Sequence, residues 1–261
     1  MSYLSQEKKS ISVEELKIEP YSILLSYPNV NGERVEKLAG ELAEAGVSKI
    51  LFIGKTKLDG LNVLGKGCTA IVFAAETVYG KAAVKVLRVD ANRKTLEEEA
   101  KFLKIVNAYN IGPKLYHTSK DFIIMEYVEG KKISEYVGEL KGRGASKRLK
   151  NVVKEMLEQA FKLDQNGIAH RELSNPLKHI IVDEKEKPVI IDFESATLNK
   201  KYSNLTALAQ SLFIGGKISP KIRKIMNIKD KEKIVSALRE YKVKRDFESF
   251  KKVLESVKIN F

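Results

Sequence analysis

The stretch that decides the fold runs from His170 to Glu194, with the sequence HRELSNPLKHIIVDEKEKPVIIDFE. Two short apolar runs, Ile180 to Val182 and Val189 to Ile191, flank a charged turn, which predicts a β-hairpin. Glu172 lies in the loop before the first strand, and Asp192 directly follows the second. Because paired strands fix both loops, we expect the two carboxylates to face a common cleft. One would suit a proton acceptor and the other a Mg²⁺ ligand.

Composition limits the class of protein. The chain has 261 residues, 43% of them apolar, which is enough to bury a core. One cysteine, Cys68, excludes an internal disulfide, and three histidines argue against a zinc site. No apolar run reaches the roughly 20 residues that span a bilayer, and the polar start does not resemble a signal peptide. We therefore expect a soluble, cytoplasmic protein without a membrane partner.

Residues 1–57 are predicted to form a small N-terminal extension. Apolar residues between Glu33 and Ala45 follow a helical spacing, with Asn31 as a plausible cap and Gly46 as a stop. Residues 49–54 have the pattern of a strand. This segment is interpreted as a helical cap packed on the next domain, with a winged-helix or partner-binding module as the alternative.

A glycine-rich turn follows the extension. Gly65, Lys66 and Gly67 lie between two strand-like runs, and a further apolar strand contains Lys85. This strand–turn–strand context argues against the Rossmann and Walker A loops, both of which open a helix. Glycine lets a backbone approach phosphates closely, and a lysine inside an apolar strand needs an anionic partner. The helix predicted over Leu96 to Asn107 offers three successive glutamates.

The last half of the chain, 129–261, is predicted to be mainly helical outside the hairpin. A long amphipathic helix covers Arg148 to Gln165, and two helices with basic outer faces follow from Asp230 to Val257. The formal charge of the chain is +13, and residues 197–261 hold 16 Lys and Arg against 6 Asp and Glu. Such a charge run is usually a solvated face, but its concentration also makes RNA or a ribosomal particle a candidate partner.

These motifs together resemble the protein-kinase fold. Glycine loop, strand lysine, helix glutamate, hinge, His-Arg-Glu-Leu loop and Asp-Phe-Glu motif occur in the order of that family. The activation segment and its closing A-P-E motif are missing. The resemblance is closest to the compact atypical kinases, namely the RIO family and the kinase of the tRNA-modifying KEOPS complex, and it suggests a small archaeal family of this type.

The resemblance implies an α+β, protein-kinase-like, two-lobed fold. Residues 58–128 would form an N-lobe with an antiparallel sheet, and 129–261 a mainly helical C-lobe with basic C-terminal helices. It also implies roles for single residues. Lys85 would contact the nucleotide phosphates and pair with Glu99, with Glu98 as the second choice. The other residues expected to bind ATP lie in the glycine turn and the hinge: Gly65, Lys66, Gly67, Val72, Met125, Glu126 and Val128.

The catalytic and metal motifs depart from the family pattern. Glu172 stands where the family has the catalytic aspartate, and Asp192 matches its Mg²⁺ ligand. The loop after Glu172 is two residues longer than usual, so the metal-binding asparagine has two candidates. Alignment on the following strand selects His179, whereas the chemistry of Mg²⁺ selects the amide of Asn175.

The function implied is ATP- and Mg²⁺-dependent phosphoryl transfer to Ser or Thr of a protein substrate, including the chain itself. Two alternatives share the site: an ATPase-type switch in ribosome or tRNA processing, and a nucleotide-binding pseudokinase scaffold. A small-molecule kinase is a further alternative, because aminoglycoside-type kinases share the fold.

Overall fold

A computed structural model describes residues 9–260. The chain forms two compact units. The first contains the described residues up to Lys104 together with Pro113–Tyr127, and the second contains Ile105–Gly112 together with the described residues from Val128 onward.

The first unit is built on an antiparallel sheet with strand order β1-β2-β6-β7-β9-β8, and β5 pairs with β6 at one end. A separate two-stranded ribbon pairs β3 with β4. Helix α1 belongs to this unit, and α2 begins in it and ends in the second. The bounds are β1 Ser10–Ser12, α1 Gly32–Glu44, β2 Val47–Leu51, β3 Thr56–Leu58, β4 Leu61–Val63, β5 Gly65–Lys66, β6 Ala70–Thr77, β7 Gly80–Leu87, α2 Glu97–Asn107, β8 Leu115–Thr118 and β9 Phe122–Glu126, with 3₁₀ turns at Glu14–Lys17 and Tyr21–Leu24.

Strand register sorts the sheet into two faces. Val72 of β6 lies opposite Lys85 of β7, which in turn lies opposite Ile123 of β9. Because side chains alternate along a strand, these positions share one face, where Ile123 packs with Leu96 and Ala100 at the start of α2. The other face belongs to the main core. Its members come from the sheet and from the N-terminal segment: Leu16, Leu24, Leu38, Leu42, Phe73, Val84 and Ile124.

The N-terminal segment is therefore part of the core of this unit. β1 and β2 extend the sheet, and α1 covers it. Asn31 caps α1 as predicted, since its Oδ1 accepts a hydrogen bond from the Arg34 amide at 2.9 Å. The Arg34 side chain then reaches the sheet and donates to Asp121 at 2.9 Å and to the Leu87 carbonyl at 2.8 Å. Helix α1 thus packs on the sheet, whereas β1 and β2 are strands of that sheet.

The second unit is mainly helical. Its small sheet, β10-β12-β13, contains the predicted hairpin, which is confirmed, and β11 pairs with β14. The bounds are β10 Gly130–Lys132, α3 Ile133–Glu139, α4 Ala145–Gln165, β11 Ile168–Ala169, β12 Ile180–Asp183, β13 Pro188–Ile190, β14 Thr197–Leu198, α5 Asn204–Gln210, α6 Ser219–Met226, α7 Lys231–Lys244 and α8 Phe247–Ser256, with a 3₁₀ turn at Arg171–Ser174 and a π-helical turn at Ser211–Gly215.

The predicted helices of this unit are present. The long amphipathic helix is α4, and the two predicted C-terminal helices are α7 and α8, capped by the side chains of Asp230 and Asp246; α7 is basic, whereas α8 has two lysines against two glutamates. Helix α5 continues into π geometry at Ser211. Among the described residues, no helix combines the length and apolarity needed to cross a bilayer.

Candidate active site

A buried ion pair marks the functional face of the first unit. Lys85 Nζ lies 2.7 Å from the Glu99 carboxylate, and the two side chains are only 7% and 3% exposed. The pair predicted from the sequence is therefore present. Glu98, the second candidate, is 74% exposed and lies 3.9 Å from Lys101. The selection follows from helix geometry, because Glu99 lies on the side of α2 that buries Leu103 and Val106.

The glycine turn joins β5 to β6 as a tight hairpin. Gly65 pairs with Val72, and the Gly67 amide donates to the Ala70 carbonyl at 2.9 Å. Arg88, at the end of β7, donates to the Gly67 carbonyl at 2.6 Å. The sheet register thus places Gly65, Val72 and Lys85 in successive positions on one face. A backbone turn with small residues beside a buried lysine is suited to phosphate groups.

An aromatic residue of the N-terminal segment supports the glycine turn. The Tyr27 ring lies 4.2 Å from Lys66 Nζ and 4.8 Å from Arg88 Cζ, both in cation–π geometry. The Val89 amide donates to the Tyr27 carbonyl at 3.0 Å. No local pattern in the sequence connects residue 27 with this turn, because the contact is long-range.

The predicted hinge lies at the end of β9. Met125 is half-buried opposite Ala83, and the exposed Glu126 exchanges hydrogen bonds with Lys114. Val128 is the first residue after the chain passes from the first unit into the second. The role in adenine binding proposed for these residues stays a prediction.

In the second unit, His170 anchors the loop that carries Glu172. It is fully buried, its Nε2–H donates to the Ile191 carbonyl at 3.1 Å, and its ring meets Phe193 edge-on at 4.8 Å. Burial lowers the pKa of His170, so the ring is neutral. His170 is therefore a structural histidine, bonded to the backbone next to Asp192.

A buried polar network binds the backbone of His170. Asn204 Oδ1, at the start of α5, accepts from the His170 amide at 2.8 Å, and its Nδ2 donates to Asp164 at 2.7 Å. Asp164 also accepts from Tyr241 at 2.9 Å and from the Ser203 hydroxyl at 3.2 Å. Burial raises the pKa of Asp164, whereas these hydrogen bonds oppose the rise. The network links α4, α5 and α7 to the loop.

Sequence reasoning missed this network, although one signal was present. Asp164 lies on the buried side of α4, next to Leu163, where a charged residue is unexpected. A buried carboxylate requires donors. The sequence could not identify Asn204, 40 positions away, as the donor.

Two carboxylates and an imidazole meet at the open ends of the hairpin. His179 Nε2 lies 3.6 Å from Glu172 Oε2, and His179 Nδ1 lies 3.6 Å from Asp192 Oδ2. The Ser195 hydroxyl donates to the other Glu172 oxygen at 3.2 Å, a contact that was not predicted. Glu172 and Asp192 therefore share one site, as the hairpin suggested. Asp192 has a φ of +67°, an uncommon conformation often found at functional sites.

Asn175 and His179, the two candidates for the position of the metal-binding asparagine, lie in different surroundings. Asn175 ends the 3₁₀ turn with an exposed side chain, whereas His179 is the one within ion-pair distance of Asp192. The carboxylate of Asp192, 37% exposed, fits Mg²⁺, a hard ion that prefers oxygen ligands. The imidazole fits it less well. The metal roles of Asn175 and Asp192 stay predictions.

The comparisons with known proteins agree with this arrangement. Residues 75–211, just over half of the chain, match the model of the RIO domain. A protein kinase of the calcium/calmodulin-dependent type 1 from Caenorhabditis briggsae is 27% identical over 150 residues, 53% of this chain and 42% of that protein. The serine/threonine-protein kinase PrkC of Bacillus subtilis is 30% identical over 152 residues, 52% of this chain and 22% of that protein.

Fold and site thus define a protein-kinase-like protein of the α+β class with two lobes, and the predicted fold class is confirmed. The chain belongs to the RIO domain family of atypical protein kinases. It is also 35% identical over 104 residues to the uncharacterized protein MJ1211 of Methanocaldococcus jannaschii, covering 40% of this chain and 84% of that protein. The chain spans less than half the length of the two kinases named above. The RIO match begins after the glycine turn.

Proposed function

We propose that this protein transfers the γ-phosphoryl group of ATP to a serine or threonine hydroxyl of a protein, including its own chain. Membership of the RIO family supports a kinase-type enzyme, and the finer assignment depends on the chemistry of the site. Phosphoryl transfer needs a cation at the phosphates, a group that orients the acceptor and a ligand for a metal ion. Lys85, Glu172 and Asp192 supply these groups.

The buried Lys85–Glu99 pair carries the proposal. Removing two charges from water costs several kcal/mol for each ion, and an apolar pair of similar volume is often as stable. A fold gains little from such a pair in the middle of an apolar strand. Its presence on the same sheet face as Gly65 and Val72 is explained if the ammonium is needed to bind phosphate oxygens.

Glu172 is the proposed acceptor of the hydroxyl proton. Its side chain is 43% exposed, so a substrate can reach it, and the Ser195 hydroxyl holds one of its oxygens. The loop that carries it is fixed by His170 and the network around Asp164. Glutamate is one methylene longer than aspartate, so this support is needed to position the carboxylate.

Asp192 is the proposed ligand of the metal ion. When bound, the ion would neutralise charge on the phosphate oxygens. The chain itself contributes the position of the carboxylate, set by the end of β13 and the left-handed backbone of Asp192.

The test is incubation of the protein with labelled ATP and Mg²⁺, with phosphoprotein and free phosphate measured separately. We expect Glu172→Gln to lose phosphotransfer, because an amide does not accept a proton as a carboxylate does. Glu172→Asp should keep part of it. Glu184→Gln, an exposed change in the turn of the same hairpin, is the matched control and should behave like wild type.

Three results would contradict the proposal. Phosphate release without phosphoprotein would favour an ATPase-type switch. ATP binding with background turnover in all variants would identify a pseudokinase. Full phosphotransfer by Glu172→Gln would place the proton acceptor elsewhere.

The basic C-terminal region is the proposed contact surface for RNA or a ribosomal particle. Helices α6 and α7 and the loop between them expose a series of lysines to solvent: Lys221, Lys224, Lys229, Lys231 and Lys233. Lysines at a surface attract phosphates at long range and make binding depend strongly on salt.

A further inference from the structure

His179 lies between two carboxylates, and none of the described residues makes a hydrogen bond that explains the orientation of its ring. Both ring nitrogens lie 3.6 Å from a carboxylate oxygen, Nδ1 from Asp192 and Nε2 from Glu172. This distance allows an ion pair but is too long for a hydrogen bond. The side chain is only 13% exposed, and Nδ1 is buried with no hydrogen-bond partner among residues 9–260.

The hairpin fixes the ring in this position. The His179 amide donates to the Pro176 carbonyl at 3.1 Å, and the His179 carbonyl accepts from the Ile191 amide at 2.9 Å. Leaving a buried polar atom without a partner destabilises the folded state. The backbone therefore holds an unsatisfied ring nitrogen directly beside Asp192, an arrangement that a ligand would stabilise.

A divalent cation would satisfy this nitrogen and Asp192 together. Imidazole and carboxylate ligands each lie about 2.1 Å from such an ion, which separates two neighbouring ligand atoms by about 3–3.5 Å. The observed separation of Nδ1 and Oδ2 is 3.6 Å. Metal-binding histidines also usually donate their second N–H to a carboxylate, and Glu172 lies on that side of the ring.

We propose that His179 and Asp192 together bind a first-row transition-metal ion such as Mn²⁺ in preference to Mg²⁺, with Glu172 as a positioning residue that holds the imidazole. The inference deepens the proposed function, on which it rests, because it specifies the metal ion of that site. Nitrogen ligands favour transition-metal ions, whereas Mg²⁺ prefers oxygen and retains its water. The other Glu172 oxygen accepts from the Ser195 hydroxyl, and the acceptor hydroxyl of a substrate would take the place of Ser195 there.

The experiment titrates Mn²⁺ into the full chain without nucleotide. Binding is followed by the loss of the electron paramagnetic resonance signal of free Mn²⁺, alone and in competition with Mg²⁺. Pulsed measurements on the wild type then test for ¹⁴N coupling from a coordinated imidazole. His117→Asn is the matched control, because His117 belongs to the first unit and stacks on Phe122.

We expect ¹⁴N coupling and at least a tenfold preference for Mn²⁺ in the wild type and in the control. His179→Asn should lose the coupling and weaken Mn²⁺ binding about tenfold or more, with a smaller change for Mg²⁺. Glu172→Gln should weaken Mn²⁺ binding by about 10-fold and keep the coupling, as removal of an outer-shell partner does.

Absence of ¹⁴N coupling in the wild type would overturn the inference, and so would an unchanged Mn²⁺ preference in His179→Asn. The first measurement needs no variant, so a variant that fails to fold does not weaken the test. The phosphotransfer assay is run on the same preparations. Phosphotransfer without ¹⁴N coupling contradicts only the metal assignment, and ¹⁴N coupling without phosphotransfer contradicts only the proposed function.

Discussion

Replacement of Lys85 by methionine should destabilise the nucleotide-free protein by about 3–5 kcal/mol, the range measured when one partner of a buried ion pair is removed. The Lys85–Glu99 contact is 2.7 Å long. At an effective dielectric constant of about 20, the attraction between the two charges is then about 6 kcal/mol. Desolvation of both ions offsets most of it, so the loss comes mainly from the Glu99 carboxylate that remains buried without its lysine.

This reasoning predicts a double-mutant cycle that is far from additive. Glu99→Met alone leaves the buried ammonium and should cost a similar amount. Lys85→Met combined with Glu99→Met removes both charges and should be less destabilised than either single variant, because an apolar pair of similar volume fits a buried site.

The assay is urea unfolding followed by circular dichroism without ATP or metal ion, with phosphotransfer measured in parallel. All three variants should lose phosphotransfer by orders of magnitude, so activity and stability move independently. Stability losses that simply add in the double variant would refute the argument, since they would show that the two charges do not depend on one another. Unchanged phosphotransfer by Lys85→Met would remove Lys85 from the site.

Three further predictions concern the second unit. Asp192→Asn should abolish metal-dependent turnover while ATP binding persists, because the change removes an anionic oxygen ligand. Turnover and ATP binding are each measured across a titration of the metal ion. Burial lowers the pKa of His170, so below about pH 6.5 the folded state binds fewer protons than the unfolded state. The free energy of unfolding should therefore fall as the pH drops below that value, by up to about 1.4 kcal/mol per pH unit. His170→Gln should flatten this slope in urea unfolding. Charge reversal at Lys221 and Lys224 should weaken RNA binding and reduce its dependence on salt in a filter-binding series.

Each of these predictions has a contrary outcome. An Asp192→Asn variant with wild-type metal dependence would remove Asp192 as a ligand. An unchanged pH slope in His170→Gln would assign the slope to other groups. For RNA, charge reversal at Lys101 and Lys104, an exposed pair of equal spacing in α2, is the matched control. Equal losses in both double variants, or no binding at low salt, would leave the basic C-terminal region as a solvated surface.

The sequence by itself determined the elements whose signals are local. Two short apolar runs around a charged turn specified the hairpin from Ile180 to Ile191, and helical spacing specified α4, α7 and α8. The order of the motifs predicted the kinase-like fold. The resemblance favoured Glu99 over Glu98, and the helix period agrees, because Glu99 shares a face of α2 with the buried Leu103 and Val106.

Only the tertiary structure decided which distant groups meet. Asn204 accepts a hydrogen bond from the His170 amide, 34 positions away, and Asp164 accepts one from the Tyr241 hydroxyl, 77 positions away. No local pattern encodes such contacts, because they depend on how helices pack. The same holds for the choice beside Asp192. Chemistry favoured Asn175 for Mg²⁺, but the pairing of β12 with β13 carries His179 to that position. Strand register, which the sequence leaves open to within a residue or two, is what fixes a side chain in space.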